Sequence, residues 1–263
     1  MDQKSPTLSV VTVNYKRMPQ LQVLKKSLDA VENVTFEWVL VDNFGTTDEA
    51  KKVQELVDNT PYMHAIFLNE NYGFSRGCNE GTQFASGEYI CFLNPDTSVM
   101  PNTFTALIEG LKRNTDAVIV TPQMQDFHGN ATENTYPLPT MWRKIHRRLM
   151  LSYPSIQPIT GDAAVGFAQG SFMLMRRDFF EKIGGFDERF FLFMDDSDLC
   201  RRAWESGGRV MQIHDAVAIH DSKRLSGRDN ILLSLRRWTF WTHVKSTLLY
   251  FWKYRGKRNP RVR

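Results

Sequence analysis

Residues 88–94 read EYICFLN and lead directly into PDTSVMP (95–101). An apolar run this short, ending in Asn, marks a strand buried on both faces. Such a strand needs helices over each face of its sheet, which points to an α/β protein. The chain around it repeats the pattern. LSVVTVN (8–14), EWVLVDN (37–43), MHAIFLN (63–69) and AVIV (117–120) are further short apolar runs. Helix-like segments fill the intervals near 19–31, 48–58, 74–86 and 101–113, several opened by proline or an acidic residue. The alternation predicts a parallel sheet with right-handed crossovers.

Three of these strands end in polar residues: Asn14, Asp42 with Asn43, and Asn94 with Asp96. Open α/β sheets bind ligands at the carboxyl ends of their strands. Asn and Asp also begin ordinary turns, so it is the three together that mark a site. Asn94 and Asp96, two apart in extended chain, would face the same side. A carboxylate there can coordinate a divalent cation that bridges two phosphates; the alternative is an Asx-type turn braced by Pro95. NENYGFSRGCNEG (69–81) lies between a strand and a helix. It is neither G-x-G-x-x-G nor a P-loop. Its glycine backbone, asparagines and Arg76 suit either a diphosphate seat at a helix start or a plain turn.

The chain has 263 residues, 42% of them apolar and 24% charged, as expected of a globular protein that needs no staples. Cys78, Cys91 and Cys200 make an odd number without a C-x-x-C pair, which argues for a reducing compartment. No secretion signal and no apolar run of spanning length are visible, so a cytosolic protein is expected. The net charge of +4 is uneven: residues 223–263 hold twelve Lys/Arg against Asp229 alone. Such a tail suits an anionic partner, nucleic acid or the cytoplasmic membrane surface. No nucleic-acid recognition motif accompanies it, so nucleic acid is not expected. Residues 121–162 lose periodicity and read as a long functional loop or lid.

FFLFMDDSDLCRR (190–202) sets three carboxylates against five apolar residues. DDSDLCRRAWESGG (195–208) has the form of a helix stopped at Gly207-Gly208. Ser197 or Asp196 would cap it, and Asp198 would favour its N-terminus and pair with Arg201 or Arg202. Capping leaves Asp195 and Asp196 in surplus. A carboxylate at the end of an aromatic run is partly desolvated, which strengthens it as a base. His220 follows a strand-like run at the same sheet edge, where it would be an ordinary polar residue or meet Asp96 across one metal ion. In the tail, Leu233, Phe240, Val244, Leu248 and Phe251 line one side of a helix reaching about Tyr254, with Ile231, Leu235, Trp238 and Leu249 as a second stripe. Trp, Phe and Leu mixed with Lys/Arg suit a bilayer interface; packing on its own domain or on a second copy in a homodimer suits them equally.

Taken together, these motifs resemble glycosyltransferase family 2, the inverting GT-A-fold enzymes with a Rossmann-like, mostly parallel sheet. Within it they look most like bacterial rhamnosyltransferases acting on lipid-linked GlcNAc-diphosphate. The resemblance runs from SVVTVNYK through VDNFGTTD, NENYGFSRGCNEG, FLNPDT and GSFMLMRRDFFEKIGGFDERFFLFMDDSDLCRRAWESGGRV to AIH, most of residues 8–220. It implies a GT-A domain over 1–222, with a nucleotide-binding half to about 120 and an acceptor-binding half beyond. A basic helix and tail over 223–263 follow. It further implies that Asn14, Tyr15 and Asp42 hold the nucleobase, with Asn71, Arg76 and Asn79 near ribose and diphosphate. Asp96 would bind Mg²⁺ or Mn²⁺ with His220, Asn94 standing where the family has another acid. Asp195-Asp196 matches the family's Glu-Asp pair, which implies Asp196 as catalytic base. The expected reaction is transfer of L-rhamnose from dTDP-β-L-rhamnose to a polyprenyl-diphosphate-linked GlcNAc at the inner face of the cell membrane. The rivals are a galactofuranosyl- or other hexosyltransferase, and a non-catalytic nucleotide-sugar or membrane-surface module.

Overall fold

The computed structural model describes residues 5–143, 159–220 and 237–262. Five strands begin the order: β1 (Leu8–Asn14), β2 (Phe36–Asn43), β3 (Met63–Leu68), β4 (Tyr89–Leu93) and the short β5 (Thr97–Val99). Their helices are α1 (Met18–Leu28), α2 (Thr47–Asp58), α3 (Gly73–Thr82) and α4 (Thr103–Arg113). β6 (Ala117–Gln125) is followed by four two-residue strands: β7 (Ala131–Thr132), β8 (Thr135–Tyr136), β9 (Ala163–Ala164) and β10 (Phe167–Ala168). Then come β11 (Phe172–Arg176), α5 (Arg177–Lys182), α6 (Asp195–Glu205), β12 (Arg209–His220) and α7 (Trp238–Lys253).

Local chemistry accounts for the early elements. Leu21, Leu24 and Leu28 form the buried stripe of α1, and Pro19 lies in its first turn. Thr46 and Glu49 close a reciprocal capping box on α2. On α3, Cβ atoms at Gly77 and Gly81 would come within 2.8 Å of Val13 and 2.6 Å of Val11. These glycines let the helix lie directly on β1 and β2.

The main sheet has the order β3-β2-β1-β4-β11-β6-β12-β5. β3, β2, β1 and β4 are parallel, and β12 is parallel to β6. β11 runs antiparallel to both β4 and β6, and β5 antiparallel to β12, so the sheet is mostly parallel, as expected of the GT-A pattern, with antiparallel strands that the β–α alternation alone does not predict. Phe172 of β11 pairs with Leu93 at the end of β4. The excursion after β6 therefore returns at the carboxyl edge it left from, and its strand must run back. Two apolar cores cover the two faces of this sheet. A third, smaller one joins Phe190 and Met194 to Tyr250 and Tyr254 of the C-terminal segment.

The chain order reverses between β1 and β4, a switch point that opens a crevice beyond their carboxyl ends. No described helix is long and apolar enough to cross a membrane. The tail's first half, including Ile231, Leu233 and Leu235, and residues 144–158 of the expected lid lie outside the described residues.

Candidate active site

At the end of β1, Asn14 donates from Nδ2 to Asp42 Oδ1 (2.9 Å), while its own Oδ1 accepts from the Arg17 amide. Both side chains are buried. Burial raises the Asp42 carboxyl above its usual range, against the Asn14 hydrogen bond and with help from Glu49's charge. The next residue, Asn43, marks a strand end at the site but has no role assigned from the sequence. Its Nδ2 donates to Asn71 Oδ1 and to the Gly73 carbonyl (both 3.0 Å), and its Oδ1 accepts from Tyr72 N. Asn43 thereby ties the glycine-rich loop to β2; the second of two polar residues at a strand end was the available signal. Tyr15 and Phe44 are exposed aromatics beyond β1 and β2, with Lys16 Nζ 5.5 Å and 5.9 Å from their ring centroids.

Arg76 lies over the Tyr72 ring at 3.8 Å and pairs loosely with Glu80 at 3.5 Å, leaving its guanidinium partly exposed at the start of α3. Asn79 points elsewhere. Its amide donates to the Phe186 carbonyl (2.9 Å) and Glu188 and accepts from the Phe186 amide, fixing the turn after α5.

Asn94 and Asp96 are not in extended chain. Thr97 N donates to Asn94 O (3.2 Å), so Pro95 and Asp96 form a turn between β4 and β5. That turn aims Asp96 toward β12, because β5 pairs antiparallel with β12 and His220 stands opposite Thr97. His220 Nε2 comes within 3.4 Å of Asp96 Oδ1, a buried oxygen with no hydrogen-bond partner. An orphaned carboxylate oxygen beside an imidazole nitrogen is a donor set that fits one divalent cation. Asp162, His214 and Asp215 also cluster, beside a bulge in β12. There Arg113 donates to both carboxylates at 2.7–3.0 Å, and with His214 and Asn114 it holds the Asp162 carboxyl below its usual range, against its burial. The guanidinium already supplies that cluster's cation.

The acidic helix α6 begins without a side-chain cap, contrary to the expectation for Ser197 or Asp196; Met194 at the N-cap is left-handed, with φ 65°. Asp196 instead accepts from the Ser197 amide through Oδ1 (2.6 Å) and from the Gly170 amide through Oδ2 (3.3 Å). Gly170 is a further residue the motifs did not single out. Its neighbour Ser171 accepts through its carbonyl from Asn94 N (3.0 Å), so the β10–β11 turn links the Asp96 turn to the start of α6. A Cβ on Gly170 would touch the Phe74 ring at 3.2 Å. Phe74 N donates to Phe191 O (2.8 Å), so α3 abuts the same point. Asp195 is buried, with Oδ2 unpartnered; burial first, then the Asp196 charge, pushes its carboxyl up to about 8. Asp198 is structural. Fully buried, it accepts from Arg202 Nε (2.8 Å), Lys253 and the Tyr254 hydroxyl (2.8 Å), whereas Arg201 pairs with Glu205.

The glycosyl transferase family 2 model matches residues 9–184. The chain belongs to that family. It is a glycosyltransferase with the GT-A fold. It is 27% identical over 251 residues to N-acetylglucosaminyl-diphospho-decaprenol L-rhamnosyltransferase of Mycobacterium tuberculosis, covering 84% of this chain and 78% of that protein. Rhamnosyltransferase WbbL of Escherichia coli is 26% identical over 249 residues, covering 81% of this chain and 91% of its own. The low-salt glycan biosynthesis hexosyltransferase Agl10 of Haloferax volcanii is also 26% identical, over 242 residues (87% and 73%). Among solved structures, GalNAc-T7 with UDP, GalNAc and Mn²⁺ superposes with a TM-score of 0.66 at 17% identity, over 83% of this chain and 44% of that one. The Pyrobaculum calidifontis mannosyltransferase with GDP-Man and Mn²⁺ gives 0.64 at 16% identity, over 98% and 67%. Asp195, Asp196 and His220 lie beyond the span of the family model.

Proposed function

We propose that the chain is an inverting rhamnosyltransferase that moves L-rhamnose from dTDP-β-L-rhamnose to a polyprenyl-diphosphate-linked GlcNAc. The supporting observation is the meeting of Asp96 and His220, 3.4 Å apart, with the start of α6 across the Gly170–Ser171 turn. Rhamnose as the sugar is supported by the names of both rhamnosyltransferase relatives, and a lipid-diphosphate GlcNAc acceptor by that of the mycobacterial one. In this reading residues 1–120 take the nucleotide and residues 121–222 the acceptor. Asn14, Tyr15 and Asp42 receive the base, and Asn71 and Arg76 lie toward the ribose and diphosphate. Asn79 serves from behind, by holding the 186 turn.

Asp96 and His220 would hold Mg²⁺ or Mn²⁺, and Asn94 would contribute to the nucleotide-sugar site. When bound, the cation neutralises charge gathering on the departing diphosphate. The chain's own step is proton removal. Asp196 takes the proton of the acceptor hydroxyl, whose oxygen attacks the anomeric carbon from the face opposite the nucleotide as the C–O bond to phosphate breaks. The hydroxyl itself is the nucleophile, so no enzyme nucleophile is needed. Neutral Asp195 beside it spares Asp196 a like charge. The protein works at the inner membrane surface, where α7 and the basic tail meet the bilayer that carries the acceptor.

The test offers dTDP-rhamnose, UDP-galactofuranose and UDP-hexoses with GlcNAc-diphospho-polyprenol, with and without Mg²⁺ or Mn²⁺. Turnover of dTDP-rhamnose that EDTA abolishes is expected, and Asp196→Asn should lower kcat by roughly 10²–10⁴-fold. Turnover with UDP-hexoses alone would move the chain to the hexosyltransferases, and turnover with no donor would leave a binding module.

A further inference from the structure

Phe193 and Met194, the two residues immediately before Asp195-Asp196, both have left-handed backbones, with φ of 68° and 65°. Left-handed conformations are unfavourable for side chains of this size and persist only where the surroundings over-determine them. Most of those surroundings belong to α7 and the residues after it. Ser246 Oγ donates to the Leu192 carbonyl (2.8 Å), His243 stacks on Phe193 (4.7 Å between centroids) and Trp238 meets Phe191 edge-on. Tyr250 and Tyr254 close the third core over Phe190 and Met194. One turn into α6, Lys253 Nζ and the Tyr254 hydroxyl both donate to Asp198, and Lys253 also reaches Asp187. On the opposite side the segment is held through Phe191 O by Phe74 of α3.

We propose that α7 is a positioning element for the catalytic base: Ser246, Lys253 and Tyr254 hold the left-handed step that sets where the Asp196 carboxylate stands. The inference rests on Asp196 being the base. It adds that the base is positioned by a segment about fifty residues downstream, beyond the span of the family model. Because the same helix would lie on the bilayer, the base and the membrane-borne acceptor are referred to one rigid body.

The test compares the full chain with Ser246→Ala, Tyr254→Phe, Lys253→Met and the charge-restoring Lys253→Arg. Hydrogen exchange should accelerate at the amides of residues 190–198 in the first three, while β1 and β4 amides remain protected. With dTDP-rhamnose and acceptor, kcat should fall by roughly ten-fold or more while KM for the nucleotide sugar stays within about two-fold, and Lys253→Arg should regain most of the loss. If exchange at 190–198 does not change, α7 does not hold the segment and the inference fails. If exchange rises and kcat does not fall, the segment does not position the base, and the inference fails equally. Should the wild type turn over no donor, the rhamnosyltransferase reading fails separately, and hydrogen exchange still shows whether α7 holds the segment.

Discussion

Asp195 and Asp196 are adjacent in the chain and opposite in circumstance. Asp196 keeps amide donors on both oxygens, while Asp195 is sealed away with Oδ2 unpartnered. Burial lifts the Asp195 pKa from 3.8 to about 8, with the Asp196 charge as the next cause. Across that window the native state holds a proton that the unfolded chain has released. Stability therefore drains away as pH rises from the lower value to the upper, and levels off above it. Asp195→Asn removes the titration. The variant should match the wild type near pH 4 and gain on it up to pH 8. The gain there should be on the order of 1 kcal/mol or more, roughly 2–4 °C in Tm for a chain this size. Thermal unfolding of both proteins at several pH values checks it, and a Tm difference that stays flat with pH would show that Asp195 is ionised in the native state. A neutral Asp195 places no second charge directly beside Asp196, while Asp198, one turn on, is matched by Arg202 and Lys253.

At the scale of the element, α7 has two distinct faces. Ser246, Tyr250 and, just beyond, Tyr254 turn inward. Trp238, Trp241, Lys245, Leu248, Trp252 and Arg255 recur every three or four residues along the outward face. Trp238 and Leu248 are about 60% exposed, so the apolar stripes expected from the sequence do not describe the packing. The sequence leaves the stripes open between a bilayer interface and a packed face; the residues that bury are a serine and tyrosines whose polar atoms or rings meet Leu192, Asp198 and Arg201. Helical period was legible, but which face is core depends on partners distant in the chain. An outward face of tryptophans among cations suits an anionic bilayer interface. Replacing Trp238, Trp241 and Trp252 with Ser should weaken binding to vesicles containing phosphatidylglycerol by roughly ten-fold or more, given about 1.5–3 kcal/mol for each large side chain fully buried. Sedimentation with vesicles measures it. Equal binding by the triple variant would place the membrane contact elsewhere.

For the whole molecule, the β1–β4 half and its helices could be read from apolar runs and caps, since each element there is specified by its own residues. The antiparallel β11 and the Asn79 contact with Phe186 could not, because each is set by a neighbour between 70 and 110 residues away. The same distinction governs whether the C-terminal segment is an appendage. By sequence it divides from the rest near residue 222, where the charge changes sign. In the fold, Asp198 is fully buried and takes two of its three donors from Lys253 and Tyr254. A chain ending at residue 222 would leave that carboxylate with Arg202 alone and uncover Phe190 and Met194. Breaking such a buried charge arrangement costs about 3–5 kcal/mol, a large part of the roughly 5–15 kcal/mol that holds a domain together. The truncated chain should therefore unfold roughly 10 °C or more below the full one. It should also bind a dye specific for exposed apolar surface. Calorimetry of the two chains side by side decides the matter: melting within a few degrees of each other would mean that the catalytic domain is complete without α7.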